Sequence, residues 1–408
     1  MRASFKARML VASGAAAVGV SACGLVLGID PIPAVTGFDA GVDAKPAVMD
    51  ARHDHAVDAG VDARHDQGVD AGPGQDVSVN DAEGGLPQPS GSPTTSDAGI
   101  NFAMHYLWLG DTDQSSAFMA DPSAWETFGY NIDGKITTSA STDVCTLAQD
   151  APSTVQTDGM DGADNSFGLN IVGGLAIVFA GVSKNLSSRI AAGGFTILLD
   201  TTGLSPDPSQ TNTGLTAGFF AGAEFPGIPT FTLADNWPVA AATLSDGVSL
   251  ANGAKISFFE AYISNGTWVS GEPTDIVVAV EIQGQPFAIT IHEGVVTFRH
   301  TIDDAGANHA LSGMIAGVLK PSEFNNALKS AAADLNNGAY CPEFENFASR
   351  ITTAQDIMLN GTNTPGQPCN GISVALGFSA DQIQLPSKVT PSTIPDGAAP
   401  TCPGDSGP

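Results

Sequence analysis

Residues 24–97 carry too few large apolar side chains to build a core, which confines any globular structure to the rest of the 408-residue chain. Asp, Ala, Gly, Val and Pro dominate this segment, and it holds thirteen acidic residues against three basic ones. It also repeats. Asp50-Ala51-Arg52-His53-Asp54 recurs as Asp62-Ala63-Arg64-His65-Asp66, and Val57-Asp58-Ala59-Gly60 as Val69-Asp70-Ala71-Gly72. A short period is compatible with a solenoid, but units with nothing to bury have no face to stack. Low hydrophobicity combined with net negative charge predicts a disordered spacer instead. At the flexibility of a Gly-rich chain, about 75 residues span roughly 45–50 Å r.m.s., and charge repulsion extends them further.

What precedes the spacer reads as an export signal. Arg2, Lys6 and Arg8 make a basic start, and residues 9–22 are small and apolar without a charge. That run is too short to span roughly 30 Å of hydrocarbon as a helix, and its layout is that of a secretory signal peptide. It ends in Val20-Ser21-Ala22-Cys23, which resembles the lipobox of bacterial lipoproteins, although that family usually has Leu where Val20 stands. The resemblance implies cleavage before Cys23 and a diacylglycerol thioether on its sulfur. It also implies acylation of the new amino group, and two or three chains suffice for a stable anchor. Gly24 stands where some lipoproteins carry the Asp that retains them in the inner membrane, so the expected address is the outer membrane of the cell envelope. Asp/Ala/Gly/Val linkers of this kind are similar to those of myxobacterial-type lipoproteins, which adds a location and no activity.

The expected organisation is therefore a signal peptide over 1–22, a lipidated cysteine and acidic linker over 23–98, a globular domain over 99–402 and a frayed tail over 403–408. From residue 98 onward there are thirty acidic residues and nine basic ones. Nucleic-acid binding needs clustered Lys and Arg, so this balance argues against it. It suits solubility and the binding of cations.

The domain reads as mainly β. Residues 193–200 form a buried strand, and 255–262 are β-rich and partly alternating. Residues 275–282, the turn 283–285 and residues 287–291 make a hairpin, and 295–300 a third strand after Gly294. Strands near ten-residue spacing with Gly and Pro punctuation predict an antiparallel β-sandwich, jelly-roll or concanavalin-like, with two to three accessory helices. Those helices are expected over 166–189 after the capping pair Asp164-Asn165, over 322–335 after Pro321, and over 343–358. The last places Phe344, Phe347, Ile351 and Met358 on one face and ends at Asn360-Gly361.

With Cys23 assigned to lipid, Cys145, Cys341, Cys369 and Cys402 remain. An even number in an exported chain favours two disulfides, and four cysteines allow three pairings. The preferred one joins Cys341 to Cys369, which flank the third helix, and Cys145 to Cys402. A zinc site is disfavoured because no two cysteines stand at C-x₂₋₄-C spacing.

No catalytic motif survives inspection. The terminal Gly404-Asp405-Ser406-Gly407 resembles the nucleophile loop of chymotrypsin-like proteases, but only one residue follows it and no general-base motif precedes it. His292-Glu293 lacks a second His four residues on. His105, His292, His300 and His309 are scattered and read as structural. The most suggestive cluster is Asp158-Gly159-Met160-Asp161-Gly162-Ala163-Asp164-Asn165, joined by Asp133 from Asn131-Ile132-Asp133-Gly134. Calcium takes six to eight oxygens on a backbone that glycine lets curl, and this octet loosely resembles Asp/Gly-rich calcium loops. Asp158, Asp161, Asp164, Asn165 and Asp133 are accordingly the candidate ligands of a Ca²⁺ ion. The competing reading is an acidic turn that caps the following helix.

The expectation is a non-enzymatic, lipid-anchored envelope protein whose β-rich domain binds a glycan, a peptide or an envelope partner, or serves a purely structural role. The alternative is an extracellular hydrolase using carboxylates brought together from distant strands.

Overall fold

The computed structural model describes residues 85–178, 181–282, 285–334, 338–385, 389–390 and 402. The expected signal peptide, Cys23, nearly all of the expected acidic linker and the expected tail 403–408 lie outside the described residues. Among the described residues, twelve strands are formed: β1 (Ser92–Pro93), β2 (Gly99–Trp108), β3 (Thr196–Thr202), β4 (Asn212–Gly222), β5 (Val239–Ala240) and β6 (Ile256–Ser264), then β7 (Thr267–Val269), β8 (Thr274–Ile282), β9 (Gln285–Ile302), β10 (Asn308–Leu319), β11 (Ile372–Ile383) and β12 (Val389–Thr390). The helices are α1 (Gly173–Val178), α2 (Val182–Ala191), α3 (Pro321–Asp334) and α4 (Cys341–Thr353).

The mainly β, antiparallel reading holds, but the sheet is a barrel and not a sandwich. Eight strands pair in the cycle β2-β11-β10-β9-β7-β6-β4-β3 and return to β2. The closing contact is β4 against β6, with Leu215 opposite Ala261 and Ala217 opposite Phe258. Inward alternation along a strand is the same for a sandwich and a barrel, so only this pairing separates them. Phe102 of β2 lies 5.4 Å, centroid to centroid, from Phe298 of β9, three strands away around the ring, so the interior is filled. Trp268 stacks on Phe298 at 5.0 Å, and all three rings are essentially fully buried.

Outside the cycle, β8 pairs with the first half of β9 in the expected hairpin. The expected third strand is the continuation of β9. Glu293 adopts a left-handed conformation (φ 50°), and a Cβ on Gly294 would meet Ile276 Cδ1 at 2.8 Å, so a bare backbone is needed there. Described structure is already present before the expected boundary at 99. Ser92–Pro93 pairs in parallel with Asn212 and Thr213, and the Tyr262 hydroxyl donates to the Pro87 carbonyl.

The helices differ from expectation in their joints. The segment from residue 166 opens with a π-helical turn, Phe167–Val172, continues as α1, and is separated from α2 by Gly181 in the left-handed region (φ 65°). α2 buries Val182, Leu186 and Ile190 at four-residue spacing. Its serines do a second job. β3 pairs with β2 only from Gly99 to Ala103, so the rest of that edge lacks a partner strand. Ser187 Oγ accepts from the Leu107 amide at 3.1 Å, and Ser183 Oγ from the Leu109 amide at 2.8 Å. Buried amides that would be orphaned are thereby satisfied. α4 stops at Thr353, short of the expected 358, because Asp356 and Ile357 bond to Gly371 as a bridge. Met358 lies beyond the helix, and Gly361 closes a turn on the Met358 carbonyl.

The disulfides join Cys145 to Cys369 and Cys341 to Cys402, neither of which is the preferred pairing. Cys369 is held beside Cys145 by backbone bonds from its amide to the Thr146 carbonyl and from the Thr146 amide to Gln367. Proximity in sequence therefore misassigned it to Cys341. Among the described residues, no helix is long and apolar enough to cross a membrane.

Candidate functional site

The connection from β2 to β3 is the long one, and it carries the acidic octet. Asp164 is 3% exposed, and its Oδ2 accepts from the amides of Ile132 (2.6 Å) and Asp133 (3.3 Å). Its own amide donates to the Tyr130 carbonyl, so the chain 130–133 wraps one end of its side chain. Burial holds Asp164 well above the usual carboxylate range, and the charges of Asp133, Asp158 and Asp356 add to that. Asp158 accepts from the amide and hydroxyl of Thr137. Burial pushes its carboxyl up to about 7 against the opposing bonds from Thr137, and the charge of Asp133 adds a smaller push upward. Asp133 Oδ1 accepts from the Lys135 amide at 2.8 Å, while its Oδ2 is buried without a hydrogen-bond partner.

Three of the five expected ligands thus share one electrostatic environment: Asp133, Asp158 and Asp164. The other two do not join them. Asp161 is exposed and left-handed (φ 55°). Asn165 serves the capping role: its Oδ1 accepts from the Gly168 amide at 2.9 Å and the Ala375 amide at 3.3 Å, and its Nδ2 donates to the Trp125 carbonyl. Among the described residues, no three His, Cys, Asp or Glu side chains form a ready-made metal set. The residue that sequence reasoning left out is Asn131. Its Oδ1 is also buried without a partner, and the only available signal was its place two residues before Asp133.

A groove of about 550 Å³ opens beside these loops. Asp113, Asp121 and Glu126 line it together with Phe128, Tyr130 and Met314, and no basic side chain is among its lining residues. The side chain of Ser123, then its amide, hold Asp121 below the usual carboxylate range. Asp113 is committed to its own turn through Ser115 and Met119. The Tyr130 hydroxyl bonds to Thr297 of β9, and burial raises its pKa. The groove wall rests on the acidic loop, because a Cβ on Gly159 would lie 2.4 Å from the Glu126 carbonyl oxygen.

The four histidines are all engaged. Asp381 of β11 accepts from Nδ1 of both His105 (2.8 Å) and His309 (2.7 Å), and despite its burial these bonds keep its pKa low. His292 links Asp275 on β8 to Glu323 on α3 at 2.9 Å each. His300 is buried against Asn308 at 2.9 Å, and burial lowers its pKa. Each arrangement fastens strands or a helix, in keeping with a structural role. No family model matches this chain, and no curated protein or solved structure is significantly similar to it.

Proposed function

We propose that this chain is an exported, lipid-anchored envelope protein whose barrel domain binds a neutral or cationic, hydroxyl-rich ligand, a glycan in the first instance, in the groove beside Tyr130. The observation that carries the reading is the charge of that groove. Three carboxylates line it and no basic group does, so it repels sulfated, phosphorylated or sialylated ligands and accepts hydroxyl or ammonium donors. Exposed Met160 and half-buried Tyr130 in the same lining supply apolar surface on which a sugar ring packs. Hydrolysis needs a carboxyl that holds its proton. Asp121 is held in the opposite direction by Ser123, which favours binding over acid catalysis. The anchor rests on the lipobox at Cys23, and the acidic linker supplies the reach to lift the domain from the headgroups.

The test has two arms on the full chain. Replacing Cys23 with Ser should abolish lipid labelling and membrane retention; wild-type chain that fractionates as wholly soluble overturns the anchor. Purified chain on an array of neutral, amino and anionic oligosaccharides should select the first two classes. Glu126→Lys should remove that binding. Preference for anionic glycans, no binding at all, or binding that survives Glu126→Lys overturns the groove reading.

A further inference from the structure

We propose that loops 131–137 and 158–164 together form a calcium site, with the amide oxygen of Asn131 and the carboxylate of Asp133 as ligands alongside Asp158 or Asp164 and backbone carbonyls. The argument starts from two orphaned atoms. Asn131 Oδ1 and Asp133 Oδ2 are both shut off from solvent, and neither has a hydrogen-bond partner. Native proteins rarely leave such oxygens bare, because their desolvation is then uncompensated. One is an amide oxygen and the other a carboxylate oxygen, two residues apart in one turn, and no protein donor reaches either.

The second loop meets the first at this point. A Cβ on Gly162 would lie 2.9 Å from Asn131 Nδ2 and 3.0 Å from the Lys135 carbonyl oxygen. The Asn131 side chain thus packs through its nitrogen against a backbone kept bare, and its Oδ1 is the atom left without a donor. Asp158 and Asp164 stand close enough to Asp133 for their charges to act on one another. The adjacent cation does not relieve them: Lys135 Nζ turns to the carbonyls of Asp143 and Asn363. The two unpartnered atoms are both oxygens, one of them a carboxylate's, and oxygen donors with negative charge suit a hard cation. No three acids close on one point, so the set is mixed, with amide and backbone oxygens making up the number; calcium accepts such irregular shells more readily than magnesium does. The proposal is independent of the groove's ligand, although an ion here would stiffen the wall that Gly159 shares with Glu126.

The experiment is thermal melting of the full chain in detergent, in chelator and then with calcium or magnesium chloride. At a hundredfold excess over Kd, calcium should raise Tm by about 5 °C. Asp133→Asn keeps the Oδ1 acceptor for the Lys135 amide and removes the charge. It should melt at or above the wild type in chelator, because repulsion is relieved, and should lose the calcium shift. Asp161→Asn, on the exposed residue, should keep the shift in full. Calcium bound by the acidic segment 24–97 would add heat to a titration and leave the melting of the Asp133 variant unable to discriminate only if that segment folded with the domain; repeating the pair with Asp50→Asn and Asp62→Asn as further controls excludes it. No calcium shift in the wild type, an equal shift with magnesium, an undiminished shift in Asp133→Asn, or its loss in Asp161→Asn overturns the site.

Discussion

Asp356 should make the domain lose stability as pH rises from about 4 to 7, and replacing it with Asn should remove that loss. The carboxyl is 6% exposed and sits between α4 and β11, where Oδ1 accepts from the Ser373 amide at 2.9 Å and Oδ2 from the Ser373 hydroxyl at 2.5 Å. Those two bonds favour the charged form, but burial outweighs them and pushes the pKa from 3.8 up to about 7. A group whose folded pKa is raised stabilises the fold fully below its unfolded pKa, and that contribution is lost as pH climbs to the folded value. Each tenfold change in proton affinity is worth about 1.4 kcal/mol, so the full loss is about 4 kcal/mol. Asn keeps the Oδ1 acceptor but turns its amide NH₂ toward the Ser373 hydroxyl, whose proton then loses its acceptor. That mismatch costs about 1 kcal/mol. Asp356→Asn should therefore be slightly less stable than the wild type at about pH 4 and 2–3 kcal/mol more stable at about pH 8, each an order-of-magnitude figure. Urea unfolding of both chains in chelator across that range measures it, and the difference between them cancels the general self-repulsion of so acidic a chain. A variant destabilised equally at both pH values would show that Asp356 is held as a satisfied carboxylate and would refute the reasoning.

Two further outcomes follow from the packing. Ser187→Ala should cost about 1–3 kcal/mol in urea unfolding, because it strands the Leu107 amide on the unpaired edge of β2; a neutral result would mean that water replaces the hydroxyl. Non-reducing peptide mapping should recover Cys145 linked to Cys369 and Cys341 linked to Cys402, and recovery of Cys341 with Cys369 would overturn the described pairing. Removing the Cys341–Cys402 link, whose ends are 61 residues apart, should cost at most about 4 kcal/mol on the chain-entropy account.

The strands were legible in the sequence wherever β-branched residues ran in alternation between turn signals, as in β8 and β9. Barrel closure was not, because it depends on β4 reaching β6, and on β7 bridging β6 to β9 with three residues, neither of which leaves a mark in the local pattern. Helical periodicity found α2, α3 and α4 but overran the end of α4, where the Gly371 bridge competes successfully with helix continuation. Pairing of cysteines failed for a related reason: loop-closure entropy varies only logarithmically with length, so sequence distance discriminates poorly between partners. In the acidic octet, regular acid spacing singled out Asp158 and Asp164, which the structure buries near Asp133, yet gave Asp161 the same weight. The left-handed turn at Asp161 sends that side chain to solvent, and spacing alone carries no such information.

Under the proposed function, the filled barrel interior leaves recognition to the loops. An eight-stranded barrel is just wide enough for side chains to fill it or for one small ligand to replace them. Here Phe102, Trp268 and Phe298 occupy that space, and the apolar cavity between the strands and α1–α3 measures only about 40 Å³. A ligand must then be met on the outside, by the long connection between β2 and β3 that forms the groove. A connection of that length needs fastening to present a fixed surface. Cys145 ties it to the chain before β11, Asn165 bonds it to the Ala375 amide within β11, and Tyr130 bonds it to Thr297 on β9. The acidic loop lies between these fixed points and carries like charges that push it apart. Three anchors and one repulsive centre in a single connection are what a cation would reconcile, since the same ion neutralises the carboxylates and draws the two loops onto the groove wall.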